Sequence, residues 1–507
     1  MSAFPRAITW LRSLHGFASP GDENLTLRQQ LRVITTAWFF GAVWMFIILG
    51  ATLSQYAKAL GAPEWGFGII AAAPFVGALA RLPASYILER FGNRRRIFLA
   101  TLTFSRLLWV LAAAIPWIMP ESTRPYWWVM MAGTLIVSWL MDAIGGTAWM
   151  NWMADVVPPR LRGRYFAFRQ KATRPVVLIV MLAVGWLLDM AQQASTVEPG
   201  LLLTMTSAIL MLAGLLGVLD IQCFTRLPDP APPPPRRDVP WLSRLRQPLA
   251  DRNFRRYLAY NFTFTLGMGF MGAYVVRYVL DVAQLSNMMA ILMLGAVPML
   301  VTALVYTFWG RMVDRFGRRP VLVLAGVLVI AGPWGWFLVT PEHWLLGYTL
   351  TLISPLAFAG IEVANFNMIL SLSSDGSGRK GAAARAPQVG GSAFVALHSL
   401  AVAAGGILSG LLGAAVAGAI PGFHLAVPAL GLEWTYHHVL LAISALLRGV
   451  ALCIAMTLIE PGAAPVSAAA RHLLATLRSQ PLRLLALPER ILTFSLGAAR
   501  RAGSAQR

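Results

Sequence analysis

Charge is scarce in this sequence. Only 12% of its 507 residues are charged, whereas 57% are hydrophobic, and a soluble domain would carry about twice that charged fraction. Apolar runs of about 18 residues or more recur along the chain, and such runs are long enough to cross a bilayer as helices. The sequence therefore predicts an all-α integral membrane protein rather than a soluble one.

Cysteine is almost missing. The two cysteines, Cys223 and Cys453, are too few for a disulfide framework, and neither has a metal-ligating neighbour at a useful spacing. The adjacent residues His437 and His438 do not share one helix face, so we interpret them as a pair at the membrane interface. We expect neither a metal nor a cofactor.

Motifs of catalysis and of nucleotide binding are missing as well. The stretch 376–381, GSGRKG, lacks the spacing of a phosphate-binding loop. We find no nucleophile elbow, no zinc-protease helix and no paired carboxylates of a glycosidase. An ATP-driven pump and a membrane enzyme are therefore disfavoured, and we predict no enzymatic activity. The first 30 residues also lack the apolar core of a cleavable signal peptide.

Acidic residues are half as frequent as basic ones, 21 against 42, which gives a formal net charge of +21. The basic residues are not gathered in a soluble domain, so we expect no nucleic-acid partner. They concentrate between alternate apolar runs, in segments 90–96, 160–174, 223–256 and 311–319. The positive-inside rule places these segments and both termini in the cytoplasm. The Arg- and Ala-rich composition indicates a bacterial protein of the cytoplasmic (inner) membrane.

Apolar runs, broken by proline, glycine and charge, predict twelve transmembrane helices in two sets of six. The first set is 31–56, 66–89, 97–117, 127–152, 174–190 and 200–222. The second set is 257–280, 287–309, 320–340, 345–371, 392–418 and 438–459. The chain then divides into an N-terminal cytoplasmic segment 1–30, a first bundle 31–222, a linker 223–256, a second bundle 257–460 and a tail 461–507.

The linker and the tail have distinct compositions. Four consecutive prolines in the linker favour a stiff, extended cytoplasmic spacer. The tail contains short basic amphipathic stretches, which are typical of helices that lie on the anionic inner leaflet. Membrane lipids are therefore expected contacts of both segments, and a regulatory or partner-binding role of the tail is the alternative.

A charged turn occurs twice, at half-chain spacing. Residues 85–96 read SYILERFGNRRR and residues 310–319 read GRMVDRFGRR, with the acids Glu89 and Asp314 separated by 225 positions. The glycine suits a tight turn because it tolerates positive φ, and the acid can pair with arginines that open the next helix. A repeated hydrophobic half with a repeated charged turn is typical of a two-fold transporter.

This turn resembles the loop between the second and third helices of the major facilitator superfamily. The turn after the fourth helix, DVVPPRLRGRYFAFR, resembles a further basic string of that family. Over residues 30–460 the resemblance implies two pseudo-symmetric six-helix bundles and transport by alternating access. It assigns to cytoplasmic gate motifs the residues Glu89, Arg90, Gly92, Arg94, Asp155, Arg162, Gly163, Arg169, Gly310, Asp314, Arg315, Gly317, Arg318 and Arg319.

A second repeat supports two equivalent halves. Residues 143–151, AIGGTAWMN, align with residues 359–367, AGIEVANFN, at an offset of 216, so that Asn151 corresponds to Asn367. The two stretches lie on the predicted fourth and tenth helices, which line the central cavity in the resembled family. Asn151 and Asn367 are therefore candidates for contact with a solute.

Ionisable residues inside apolar runs are the remaining candidates, because charge is costly in lipid. Asp142 and Glu362 lie at similar depths of the fourth and tenth helices, either as proton-coupling or solute-binding groups or as members of a salt bridge or of a hydrogen bond to a helix backbone. Arg277, near the outer end of the seventh helix, either meets an anionic solute or extends to the membrane interface. Arg106 and Arg448 are interpreted as structural partners.

The predicted function is secondary active transport of a small polar or amphiphilic solute. Protons are the expected coupling ion, and the solute gradient alone is the alternative. A transport-inactive scaffold of the same fold, which delivers or assembles a partner, is the second hypothesis. A polytopic membrane enzyme is the third, and it lacks a cluster of catalytic groups.

The predicted orientation can be tested by cysteine labelling in a variant without its two native cysteines. A cysteine at Glu342 should react with a membrane-impermeant maleimide applied from outside, because the charge rule places that loop outside. A cysteine at Arg318 should react only after the membrane is opened. The reverse pattern would overturn the orientation.

Overall fold

The structure, a computed structural model, describes residues 25–91, 94–228, 248–375, 392–428 and 432–479. The first 24 residues, most of the predicted linker, and the tail beyond residue 479 lie outside the described residues, and so does Gly92. The described chain is almost entirely helical. Its long helices in the first half are α1 (Leu27–Ile48), α2 (Ala51–Ala59), α3 (Glu64–Ala78), α4 (Arg81–Phe91), α5 (Arg94–Ile118), α6 (Trp127–Val156), α7 (Pro159–Ala194) and α8 (Leu201–Cys223).

The second half continues with seven long helices. They are α9 (Arg252–Gly272), α10 (Val297–Phe316), α11 (Arg318–Trp336), α12 (Trp344–Asp375), α13 (Ser392–Ala419), α14 (Tyr436–Met456) and α15 (Val466–Ser479). Shorter pieces are the helices Val275–Arg277 and Asn287–Ile291, the π-helical turns Tyr278–Val282 and Leu292–Ala296, and the 3₁₀ turns Glu121–Tyr126 and Phe224–Arg226. Two antiparallel strands, β1 (His424–Val427) and β2 (Leu432–Thr435), form a hairpin before α14.

The number of membrane spans agrees with the sequence prediction. Within the described residues, eleven helical segments are long and apolar enough to cross a bilayer. A twelfth is formed if Asn287–Thr302 and Leu304–Phe316, which meet at a bend of 49°, count as one span. The predicted eighth helix is therefore the bent one.

Two predicted helices are interrupted near their middle or end. The predicted helix 31–56 breaks between α1 and α2 at Gly50, whose φ of +135° is open to glycine but strained for other residues. The predicted helix 66–89 breaks between α3 and α4 at residues 79–80. Pro83 explains this second break, because it lacks the N–H that would bond to the carbonyl of Leu79.

One further prediction is wrong in detail. The basic string after the fourth helix was expected to form a turn, but it forms the first part of α7, a helix of 36 residues. Pro159 opens this helix, where its missing N–H costs nothing. The segment before α14 contains the β1–β2 hairpin, which apolar periodicity could not reveal because its two strands have only four residues each.

The described helices form two compact units. The first unit comprises Met1–Leu60, Gly77–Val184 and Ala194–Arg237, and the second comprises Gly61–Val76, Gly185–Gln193 and Asp238–Arg507. Most of α3 and the end of α7 belong to the second unit, and the bundle boundaries 31–222 and 257–460 stay predictions.

The first unit has an aromatic core at the ends of α5, α6 and α8. Phe98 packs edge-to-face on Trp152, with ring centroids 5.5 Å apart, and on Phe224, with centroids 4.9 Å apart. Such pairs contribute about 0.5–1.5 kcal/mol beyond the burial of their area. This core fixes the helix ends that carry the first repeated turn.

The second unit uses close helix contacts. A Cβ on Gly68 of α3 would lie 2.4 Å from the carbonyl oxygen of Gly410 in α13, and a Cβ on Gly410 would lie 2.6 Å from that of Gly68. Small residues allow such approach of two backbones inside a membrane, where van der Waals packing rather than hydrophobic burial drives helix association.

The described part of the tail packs on the second unit. Ala469 and Leu473 of α15 are buried in the same cluster as Trp309 and Phe316. The opposite face of α15 exposes Arg471, Leu474 and Arg478 to the surroundings. The predicted amphipathic helix therefore exists, and its apolar side covers the end of α10 and α11.

Candidate functional site

Asp142 lies in α6 and is bound by an arginine of the neighbouring helix. Arg106 Nη1, in α5, is 2.7 Å from Asp142 Oδ1, and the two side chains are 7% and 29% exposed. The Arg106 guanidinium also lies over the ring of Trp44 in α1, with its central carbon 3.4 Å from the ring centroid. Asp142 therefore holds a buried cation in the first unit.

Arg169 of α7 is the second buried cation of the first unit. Its guanidinium lies over the aromatic rings of Trp38, Phe166 and Trp149, at 4.5, 4.9 and 5.3 Å from the centroids. Aromatic faces attract a cation without supplying a counter-ion. Of the predicted gate residues, Arg169 thus lies in an aromatic cage, whereas Arg162 and Gly163 lie in the first turn of α7 without a described side chain.

Glu362 lies in α12 of the second unit and is exposed. Its Oε2 accepts a hydrogen bond from the hydroxyl of Tyr306 in α10. No described lysine or arginine forms an ion pair with it. Unlike Asp142, Glu362 is a carboxylate in a membrane helix with a neutral donor as its partner.

Amide side chains follow one turn beyond Glu362. Asn365 Nδ2 donates to Asn261 Oδ1 of α9 over 2.6 Å, and the Tyr257 hydroxyl donates to the Asn365 carbonyl over 3.1 Å. The Oδ1 atom of Asn365 and the hydroxyl of Tyr260 are buried without a partner among the described residues. This polar set can offer hydrogen bonds to a solute or to water.

The two predicted asparagines do not have equivalent surroundings. Asn151 is exposed near the end of α6. Asn367 is half-buried near the end of α12, where its Nδ2 donates to the Val363 carbonyl over 2.8 Å and its own carbonyl accepts from Arg318 Nη1 over 3.4 Å. The structure thus brings Asn367 close to the second repeated turn rather than to Glu362.

Arg277 is buried in the second unit, so it does not extend to the membrane interface. Its side chain is 2% exposed, and its Nη2 pairs with Asp281 and lies 3.8 Å from Glu64 Oε1. Glu64 also accepts a hydrogen bond from the Tyr436 hydroxyl. The cluster of Glu64, Arg277, Asp281 and Tyr436 joins α3 to the ends of α9 and α14.

The first repeated turn is held by its arginines. Arg94 forms an ion pair with Asp155 at the end of α6, and Arg95 Nη2 donates to the Thr225 carbonyl after α8. Glu89 and Arg90 lie in the last turn of α4, and nothing of their side chains is described. Asp155, from the end of α6, thus contacts the first repeated turn through Arg94.

The second repeated turn is held by a residue that the sequence analysis did not select. Glu460 Oε1 accepts from the backbone N–H of Arg318 over 3.1 Å and from its Nε over 2.6 Å, while Oε2 accepts from the N–H of Arg319 over 2.6 Å. Glu460 therefore caps the start of α11 with a negative charge, which favours the helix N-terminus. Its side chain is only 6% exposed.

The glycine of this turn has its expected role, whereas the acid does not. Gly317 has φ of +97°, and a Cβ there would lie 2.9 Å from Ala463, so both backbone and space require glycine. Asp314 and Arg315 are exposed, and Asp314 forms no ion pair with a described residue. Gly310 has open space where a side chain would lie. In this conformation, the acid that pairs with the arginines at the start of α11 is thus Glu460 and not Asp314.

A comparison with protein families decides which fold family this is. The sequence profile of the Major Facilitator Superfamily matches residues 33–392, well over half of the chain. The chain belongs to the Major Facilitator Superfamily. The predicted class, an all-α membrane protein with twelve helices in two bundles, is confirmed, and the chain is a secondary active transporter by family. A search of curated protein sequences returned no match.

Solved transporter structures share this superfamily fold. The nucleoside transporter NupG is 12% identical with a TM-score of 0.58, over 86% of this chain and 99% of that one. The D-xylose–proton symporter is 15% identical with a TM-score of 0.56, over 85% and 97%. A bacterial homologue of the human lysosomal transporter Spinster is 15% identical with a TM-score of 0.55, over 87% and 100%. Identities this low show a common fold and nothing about the solute.

Sequence reasoning on this superfamily member missed three acids that the structure places in contacts. Glu460 and Glu64 lie just outside the predicted helices 438–459 and 66–89. Asp189 lies in the last two turns of α7, where it accepts hydrogen bonds from the N–H groups of Asn287 and Met288 over 2.6 and 3.1 Å. An acid at the end of an apolar run, in a chain with 21 acids against 42 basic residues, is the signal that would have selected them.

His437 and His438 are buried at the start of α14, and the Tyr278 hydroxyl lies 3.3 Å from His438 Nε2. The Thr435 N–H donates to His438 Nδ1 over 2.9 Å, so this histidine caps its own helix. Both histidines pack in the interior of the second unit, and their position at the membrane interface stays a prediction.

Glu460 gives a stability prediction. Glu460→Gln removes the charge that accepts three hydrogen bonds, and hydrogen bonds to charged groups contribute about 1.5–3 kcal/mol. We expect a lower thermal midpoint of the purified protein at neutral pH. Glu433→Gln is the matched control, because Glu433 is exposed and pairs only with His424, and surface changes usually stay within about 0.5 kcal/mol.

The effect of Glu460 should depend on pH. Burial alone raises the pKa of Glu460, but the hydrogen bonds from Arg319 and Arg318 outweigh it and hold this pKa below its ordinary value. The stability from this charge is complete above the pKa of an unfolded glutamate, about 4.3, and is lost as pH falls through the lower folded pKa. Equal thermal midpoints of the wild type and of Glu460→Gln at neutral pH would contradict the stabilising role of Glu460.

Proposed function

We propose that this transporter moves a small polar solute by alternating access and that a proton gradient drives it, with Glu362 as the coupling residue. The observation that supports this proposal is the state of Glu362: an exposed carboxylate on a membrane helix, held by the Tyr306 hydroxyl and by no described cation. Such a group can bind and release a proton without breaking a salt bridge.

The polar set beside Glu362 supports a hydrogen-bonding solute. Asn261 and Asn365 provide amide groups, and the unpartnered Asn365 Oδ1 and Tyr260 hydroxyl can accept and donate. A site with such groups rejects solutes that leave them unpaired. The structural neighbours named for a nucleoside and for D-xylose carry solutes of this polar kind, so nucleosides and pentoses are the first to test.

We propose a different role for Asp142 from that of Glu362. Its ion pair with Arg106 neutralises a buried cation, and removing one partner of such a pair is strongly destabilising because the other charge stays unpaired. We expect Asp142→Asn to weaken folding or solute binding. For Asn151 and Asn367 we propose contact with the solute or with the repeated turns.

We propose that the cluster around Arg277 closes the transporter at its extracytoplasmic side. Arg277 is already engaged by Asp281 and Glu64, so we propose that it holds α3 against the ends of α9 and α14 rather than binding an anionic solute. The repeated turns and both termini are proposed to face the cytoplasm of a bacterial inner membrane. The bundles 31–222 and 257–460, joined by the linker 223–256, are the proposed moving bodies.

Transport should be demonstrated before coupling. A thermal-shift screen of the purified protein against polar metabolites, beginning with nucleosides and pentoses, identifies a ligand. Uptake of that ligand into proteoliposomes, with and without an inward proton gradient, then tests the function. Binding without flux would favour the transport-inactive scaffold, and chemical conversion of the ligand would favour a membrane enzyme, so either result would overturn the proposal.

Glu362→Gln separates coupling from transport. The variant should lose accumulation driven by a proton gradient but retain counterflow of solute, since exchange requires no net movement of protons. Tyr306→Phe removes the hydrogen-bond donor of Glu362 and should shift the pH dependence of uptake without abolishing it. Both are measured as initial rates in proteoliposomes.

Glu342→Gln is the matched control for this experiment. Glu342 carries the same side chain at an exposed position before α12, and it should leave accumulation and counterflow unchanged. Full gradient-driven uptake by the Glu362→Gln protein would show that Glu362 is structural and that coupling lies elsewhere.

A further inference from the structure

Asp220 is a buried acid for which the family assignment provides no role. It lies in α8, 7% exposed, in the interior of the first unit. Its carboxylate lies against the backbone of α1, because a Cβ on Gly41 would be 2.4 Å from Asp220 Oδ2. Within the described residues it receives no hydrogen bond and lies in no ion pair. Its environment is therefore unlike that of Asp142.

The charges that act on Asp220 come from three other helices. Arg106 of α5 and Arg169 of α7 attract it, and Asp142 of α6 repels it, while Cys223 is the other titratable group near it on α8. Both arginines are engaged elsewhere: Arg106 by Asp142 over 2.7 Å, and Arg169 by its aromatic cage. Of these four charged groups in the described interior of the first unit, only Arg106 and Asp142 thus form a close ion pair.

Arg106 is placed so that it can reach either acid. A Cβ on Gly217 would lie 2.6 Å from Arg106 Cδ, so the arginine stem lies directly on α8. Gly217 is one turn before Asp220, and positions three apart share a helix face. With no side chain at Gly217, the Arg106 stem and the Trp44 ring both lie directly on α8, on the side of the helix that carries Asp220.

We propose that Asp220 is a proton-binding site and that Arg106 moves from Asp142 to Asp220 when Asp220 releases its proton. In the conformation described, Asp220 is the neutral acid, because an ionised carboxylate in a bundle interior requires a partner. On release, the proton passes to water and Arg106, which stays charged, pairs with the new carboxylate. Asp142, 29% exposed, is then left to solvent.

This inference extends the proposed function, because it adds a second proton site to the one at Glu362. The two sites differ in design. Glu362 is exposed and has a hydroxyl as its partner, whereas Asp220 is enclosed and exchanges its proton for a guanidinium. A transporter with both can couple each of its two units to protonation.

Infrared difference spectroscopy on the purified full-length protein tests the proton site without a solute. Spectra taken at several pH values report the C=O stretch of protonated carboxylic acids. We expect a band that disappears in Asp220→Asn and persists in Glu362→Gln and in the control Glu198→Gln, whose acid is exposed in the loop before α8. An unchanged band in Asp220→Asn would overturn the proposal.

A second variant keeps the test valid if Asp220→Asn does not fold. Gly41→Ala retains every charge but places a methyl group against the Asp220 carboxylate. It should shift the pH at which the band appears, whereas Gly133→Ala, where a Cβ meets open space, should not. An identical midpoint in the wild type and Gly41→Ala would count against a site at Asp220.

Flux measurements separate this inference from the proposed function. If the wild type shows no proton-driven accumulation but the band depends on Asp220, proton coupling fails and the proton site stands. If the wild type is proton-driven and Asp220→Asn keeps both its band and its accumulation, the proton site fails and coupling through Glu362 stands.

Discussion

Every charged side chain that enters the membrane-spanning part of this chain needs a partner within the protein, and the described structure follows from that constraint. Lipid offers no water to solvate a guanidinium or a carboxylate. Arg106 is therefore held by Asp142 and Trp44, Arg169 by three aromatic rings, and Arg277 by two acids. With half as many acids as basic residues, the chain holds Arg106 and Arg277 with acids and Arg169 with aromatic rings.

The two repeated turns satisfy the same constraint by different means. In both turns an arginine that opens the next helix donates to a carbonyl near the last helix of its half: Arg95 to Thr225 and Arg319 to Met456. The acids that hold the two turns differ. Arg94 pairs with Asp155, whereas at the offset of 216 the position equivalent to Asp155 is Ser371, and the second turn is held by Glu460 instead. The two-fold repeat is thus kept in geometry but not in residues.

This difference connects the tail to the transport machinery. Glu460 caps α11, the Ala464 N–H donates to the Phe316 carbonyl over 2.9 Å, and Leu473 lies in the core beneath the turn. A movement of the second turn must therefore carry the start of the tail with it. The charged residues of the first unit form a separate network, in which one arginine lies between two acids.

The sequence by itself determined the class, the spans and the repeated turns, because hydropathy and turn chemistry are local properties of the chain. It also selected Asp142, Glu362 and Arg277 as charges that need an explanation. Only the tertiary structure decided their partners, since Asp142 is 36 positions from Arg106 and Arg318 is 142 positions from Glu460. Such pairs depend on how remote helices are rotated against one another, and no local pattern encodes that rotation. Asp220 lies inside the predicted helix 200–222, so the rule for charges in apolar runs applies to it as well. Only the structure shows that α1 encloses it, through the bare backbone at Gly41.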